Sequence, residues 1–147
     1  MTIFEVYYRR QETFREDKQL TAADIKTQKT HVLVAIQEGT KDSVYAQMQG
    51  ELMDKRTAIL VRNMIRMGET HHQSMSVGDV LRDGDTGEIS QCAMVGWIPV
   101  KGSQIVGKFG YLPDIFLKLV PKRSKYADKE AYTTPRKRPI KAKKKKE

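Results

Sequence analysis

The chain has one cysteine, Cys92, among 147 residues, so no internal disulfide forms and the fold does not depend on an oxidising compartment. Long apolar runs are also missing. Stretches such as Ile59-Leu60-Val61 fall far short of the roughly 18–20 residues that a membrane-spanning helix requires. The opening Met1-Thr2-Ile3-Phe4-Glu5-Val6 carries an acid at position 5 and lacks the basic start, apolar stretch and cleavage site of a secretory signal. A cytoplasmic protein with no membrane contact is expected. Net charge is absent from the first 120 residues, where 15 basic and 15 acidic side chains cancel. That balance excludes a body that draws polyanions by its overall field.

The charge that exists is gathered at the other end. Residues 121–147 hold twelve cations: Lys122, Arg123, Lys125, Lys129, Arg136, Lys137, Arg138, Lys141, Lys143, Lys144, Lys145 and Lys146. Only Asp128, Glu130 and Glu147 oppose them, and the resulting +9 equals the formal charge of the whole chain. Within this tail, residues 124–134 place Tyr126 and Tyr132 among mixed charges. Residues 135–147 are low-complexity, with Pro139 interrupting any helix. So little apolar surface does not offset the entropy of ordering, and disorder in isolation is expected. The organisation read from the chain is a globular domain over 1–120 followed by a basic tail over 121–147.

The body reads as α+β, a small, mostly antiparallel sheet with two central helices. Ile3, Phe4, Val6, Tyr7 and Tyr8 form a β-branched and aromatic run, the first strand. Residues 9–30 are charged and weakly periodic, an excursion in which Thr21 and Asp24 cap one short helical turn. Residues 31–36 are a clear strand, ending by Gly39. Asp42 or Ser43 caps a helix carrying Val44, Tyr45 and Met48, and Gly50 stops it. Asp54 caps a stronger helix. Ala58, Ile59, Leu60, Val61, Met64, Ile65 and Met67 make its apolar stripe, Gly68 ends it, and Arg56, Arg62, Asn63 and Arg66 lie largely on the other side. Residues 74–81 alternate, with Met75, Val77 and Val80 inward, and predict a strand. Residues 83–87 are turn formers and predict a hairpin loop. Residues 89–95 return as a strand, and 96–100 continue to an edge, because Pro99 has no ladder donor. Two apolar segments, 105–106 and 109–120, are expected to add one or two strands.

The stretch His72-Gln73-Ser74-Met75-Ser76-Val77-Gly78-Asp79-Val80, followed by Gly96-Trp97, resembles the YodL-like domain family of short phage and mobile-element proteins. The openings Phe4-Glu5-Val6-Tyr7-Tyr8-Arg9 and Thr30-His31-Val32-Leu33-Val34 look like that family's first half, so the resemblance covers about residues 1–100. Its specific motif is residues 74–80, and Trp97 stands where the family's pattern has Phe. The resemblance implies a small α+β binding module and brings no catalytic residue. A weaker likeness joins residues 107–120, through Gly110 to Val120, to the closing segment of an SH3 domain, whose Gly-x-x-Pro turn precedes an aromatic and a last strand. The aromatic-rich first loop of such domains is missing.

Motif chemistry is sparse. In residues 74–80, Gly78-Asp79 fits a turn in which the glycine takes positive φ and the carboxylate caps local N–H groups. The functional alternative makes Ser74, Ser76 and Asp79, with Trp97 and Pro99, a partner-binding edge. His71 and His72 invite a metal, but neighbours on a strand face opposite ways and a loop pair supplies at most two ligands. Ordinary solvated histidines are expected, and no cofactor. Cys92 has no helix N-terminus or basic neighbour to activate it and is expected to be a buried thiol. Residues 102–107 lack the Lys-Ser/Thr of a phosphate loop, and residues 83–88 lack the ligand spacing of a calcium loop. The expected function is therefore non-enzymatic nucleic-acid binding, with the tail cations other than Lys129 on phosphates and Tyr126 and Tyr132 stacking on unpaired bases. The alternative is a protein-interaction module with an incidental tail.

Overall fold

A computed structural model of the chain describes residues 2–10 and 19–102. The expected strands within 105–120, the SH3-like segment and the basic tail lie outside the described residues. The described chain runs β1 (Thr2–Arg9), α1 (Ala22–Lys26), β2 (His31–Gly39), α2 (Lys41–Gln47), α3 (Lys55–Arg66), β3 (Val80–Asp83), β4 (Ile89–Cys92) and β5 (Trp97–Pro99). The strands form one sheet in the order β2-β1-β3-β4-β5, with every neighbouring pair antiparallel. The α+β class and the antiparallel sheet agree with the sequence reading.

The topology explains why two helices sit mid-chain. β2 and β3 both run antiparallel to β1, so they are parallel to each other and lie on either side of it. Parallel strands need a crossover, and α2 and α3 supply it. They pack on the face that carries Phe4, Val6, Tyr8 and Gln37. Gln37 Nε2 donates to Thr57 Oγ1 of α3 at 3.3 Å and meets Met48 Sδ at 3.5 Å. Leu60, Val61 and Met64 of α3 are buried, as its stripe predicts; Ala58, Ile59 and Ile65 are half-buried, and Met67, expected in the stripe, is exposed at the C-cap. Asp54 caps the helix as expected, accepting from the Thr57 N–H at 2.9 Å.

Several boundaries differ from the sequence reading. The cap of α2 is Thr40, whose hydroxyl accepts from the Ser43 N–H at 3.1 Å while Ser43 Oγ accepts from the Thr40 N–H at 2.8 Å. Ser43 is thus the third residue of a capping box rather than the cap. The strand expected over 74–81 begins only at Val80, because Gly78 turns the chain with φ +98° and Asp79 binds back to the loop. Met75, Val77 and Val80 are buried nonetheless. The strand expected over 89–95 stops at Cys92, where the Ala93 N–H donates to the Gly96 carbonyl at 3.1 Å and reverses the chain into β5. The turn at 83–87 forms as expected, with Asp83 Oδ1 accepting from the Asp85 and Thr86 N–H groups at 2.8 and 3.1 Å.

Candidate functional site

The sequence motif at 74–80 becomes a clasp. Its centre is Asp79, fully buried at 0 % exposure. Oδ1 accepts from the Arg9 N–H at 2.8 Å and lies 3.6 Å from Arg9 Nε. Oδ2 accepts from the Ser76 N–H at 2.8 Å and from His72 Nε2 at 2.7 Å. One carboxylate thus joins the loop to the end of β1. Backbone bonds extend the clasp to β4, with the Gly78 N–H on the Cys92 carbonyl at 2.9 Å and the Cys92 N–H on the Asp79 carbonyl at 2.8 Å. The other end is tied to α2: the Met75 N–H donates to the Met48 carbonyl at 3.1 Å, and the Gly50 N–H to Ser74 Oγ at 2.8 Å. Ser76 Oγ donates to the Ser74 carbonyl at 3.1 Å.

Two histidines line the clasp. His31 is buried, with Nε2 at 2.7 Å from the Gly78 carbonyl and Nδ1 at 2.9 Å from Thr30 Oγ1. A carbonyl only accepts, so Nε2 carries the proton and the neutral ring's Nδ1 accepts from Thr30. Burial holds the His31 pKa below its usual 6.5, against the opposing pull of the Gly78 bond and of Asp79. His72 stacks on Tyr8 with ring centroids 4.6 Å apart and planes 11° from parallel. The Tyr8 hydroxyl donates to the Gln73 carbonyl at 2.9 Å, and burial, then Asp79 and then Tyr45, raise its pKa well above 10.0. The solvated pair expected at 71–72 is therefore split: His71 is exposed, while His72 is committed to Asp79 and Tyr8. Its Nδ1 is buried as well. Neither ring nitrogen is presented to solvent as a base, so the Asp79–His72 pair reads as architecture.

A second polar cluster went unseen in the sequence. On the sheet face away from α2 and α3, Arg82 Nη1 donates to Glu5 Oε1 at 3.1 Å, and the Tyr7 hydroxyl donates to the same oxygen at 2.7 Å. Glu5 and Arg82 are both at 0 % exposure. They are 77 residues apart in sequence, and only the β1–β3 register sets them opposite each other.

The five residues expected on one partner-binding edge do not share it. Asp79 is interior, and Ser74 and Ser76 are half-buried within the clasp. Trp97 and Pro99 lie on β5, the last strand of the sheet among the described residues. Trp97 Nε1 donates to Asp42 Oδ1 at 3.2 Å, and its ring meets Tyr45 edge-on at 6.5 Å. The adjoining turn exposes Met94 at 71 % and Val95 at 92 %. Cys92 is a buried free thiol, as expected. Among the described residues, no three His, Cys, Asp or Glu side chains are grouped to hold a metal. The thirteen tail residues proposed for nucleic acid, from Lys122 to Lys146, lie outside the described residues. No family model, no curated protein and no solved structure matches this chain.

Proposed function

We propose that this chain is a non-enzymatic accessory protein that holds RNA or DNA through its Lys/Arg-rich tail. The observation that carries the reading is the segregation of charge: twelve cations in residues 121–147 against a body whose 15 basic and 15 acidic residues cancel. Dense cations beside Tyr126 and Tyr132 are suited to phosphates and unpaired bases. The motif at 74–80 supports a passive body, because its polar groups bind one another. An origin in a phage or mobile element belongs to the same proposal and rests on the YodL-like resemblance alone, as the cytoplasmic setting rests on the sequence.

The test is titration of labelled single-stranded and duplex oligonucleotides. With about eight phosphate contacts, affinity falls by roughly 10³–10⁵ between about 50 and 200 mM salt. A full-length variant with the twelve tail cations changed to Gln loses most of that salt-sensitive binding. Unchanged binding refutes the assignment.

The exposed Met94 and Val95 beside Trp97 favour a second reading, a protein-interaction module that docks at the β4–β5 turn. Capture of partners before and after nuclease treatment separates the two. Partners of a protein-interaction module survive the nuclease, and those of a nucleic-acid tether do not.

A further inference from the structure

The folded body is neutral in sum but not in arrangement. Among the described residues, eleven Lys or Arg face eleven Asp or Glu. Three of each are spent on one another: Arg82 on Glu5, Arg9 on Asp79 and Arg10 on Glu69. Of the other eight cations, four sit on α3, namely Lys55, Arg56, Arg62 and Arg66, and all four are exposed. The helix contains no acid. At about 100° per residue, the four fall within an arc of roughly 120°, opposite the buried Thr57, Leu60, Val61 and Met64.

The acids that flank this arc are largely occupied. Asp54 accepts from the Thr57 N–H at 2.9 Å and from its hydroxyl at 3.0 Å, and Glu69 pairs with Arg10. Glu51 lies in the loop before the helix, away from Arg62 and Arg66. Arg66 Nη1 donates to Asn63 Oδ1 at 2.8 Å, which holds the guanidinium on the same arc. Among the described residues, no ion pair uses Lys55, Arg62 or Arg66. By contrast, the β3–β4 turn carries Asp83, Asp85 and Glu88 and no cation.

We propose that the outer face of α3 is a second, preformed contact for the phosphate backbone, built from Lys55, Arg62 and Arg66 with Arg56 beside them. This rests on the nucleic-acid reading of the tail and extends it to the body. Lys55 and Arg66 are about 16 Å apart along the helix axis. That length passes several phosphates of one strand, which follow at about 3.4 Å along a duplex axis. The tail raises the local concentration of nucleic acid, so a few weak contacts on α3 suffice to orient the body on it. Leu52 and Met67 are exposed at the two ends of α3, but its apolar stripe is buried against the sheet, so the arc offers a lipid surface charge and no continuous apolar face to insert. Polyanion binding through phosphates is what remains, and it carries little sequence information.

The experiment compares five full-length proteins on the same oligonucleotides across a salt series. They are the parent, K55Q/R62Q/R66Q, the charge-retaining R62K/R66K, a control K26Q/K29Q/K101Q that removes equal charge elsewhere, and the tail-neutralised variant. Gln is a good helix former, and circular dichroism verifies that each variant folds. The α3 variant is expected to flatten the log–log salt slope by about 2–3 units, the control by less than about one, and R62K/R66K to retain the parent slope. Equal losses in the α3 variant and the control overturn the proposal, since net charge alone then explains them. An unchanged slope in the α3 variant, with binding lost in the tail variant, also overturns it and leaves the tail reading standing. A parent with no salt-sensitive binding sinks both. In a parallel titration of anionic vesicles, a loss by the α3 variant there but not on the oligonucleotides overturns the proposal and assigns the arc to membranes.

Discussion

Asp79 is the residue on which the clasp turns. Its two oxygens receive the Arg9 N–H, the Ser76 N–H and His72 Nε2, and Arg9 adds an ion pair. Asp79→Ala leaves these donors buried without their acceptor, and is expected to cost about 3–5 kcal/mol, read as a lowered urea midpoint. Asp79→Asn keeps one acceptor and costs less. His31 makes stability pH-dependent. Its folded pKa is depressed by burial, so the unfolded chain takes up the proton first. The contribution is whole above the ordinary pKa of 6.5 and is lost as pH falls below it toward the folded value. Urea midpoints at about pH 7.5 and 5.5, a range above ordinary carboxylate titration, are expected to fall in the parent and to fall less in His31→Gln. Neither role is visible in the sequence. The carboxylate's capping of its own loop follows from Gly78-Asp79, but its reach to Arg9, and the pairing of Glu5 with Arg82, require a strand register that no local pattern encodes.

At the scale of elements, legibility follows period and punctuation. α3 reads clearly because twelve residues repeat an apolar stripe between Asp54 and Gly68. β1 and β2 read clearly because their β-branched and aromatic residues are continuous and buried. Residues 74–79 mislead because a loop pinned from within buries Met75 and Val77 just as a strand would. Apolar alternation reports burial, not backbone conformation. The α2 cap misleads by two or three residues because Thr40, Asp42 and Ser43 all belong to the class of capping side chains. The assigned cap of α3 gives a direct check. Asp54→Ala removes the acceptor for the Thr57 N–H and hydroxyl, with an expected loss of about 1 kcal/mol, measured by thermal or urea unfolding. Asp42→Ala leaves the α2 cap intact and instead frees Trp97 Nε1, so the fluorescence of this single tryptophan shifts while stability changes little.

At the scale of the molecule, the charge plan was legible and the polar interior was not. Counting along the chain separates a neutral body from a cationic tail, since composition needs no coordinates. It does not reveal that the body's charges are sorted in space, with α3 basic and the β3–β4 turn acidic. The salt series follows from that sorting: the tail governs most of the slope, and α3 a smaller share. One feature of the sheet acts before any of this chemistry. Because β1 lies between β2 and β3, its second edge stays bare on the ribosome until residues 80–83 emerge. A chain in which β1 has paired with β2 alone presents an open strand edge, a shape inclined to pair with other chains. Closing the crossover so that β3 docks is the step that covers that edge.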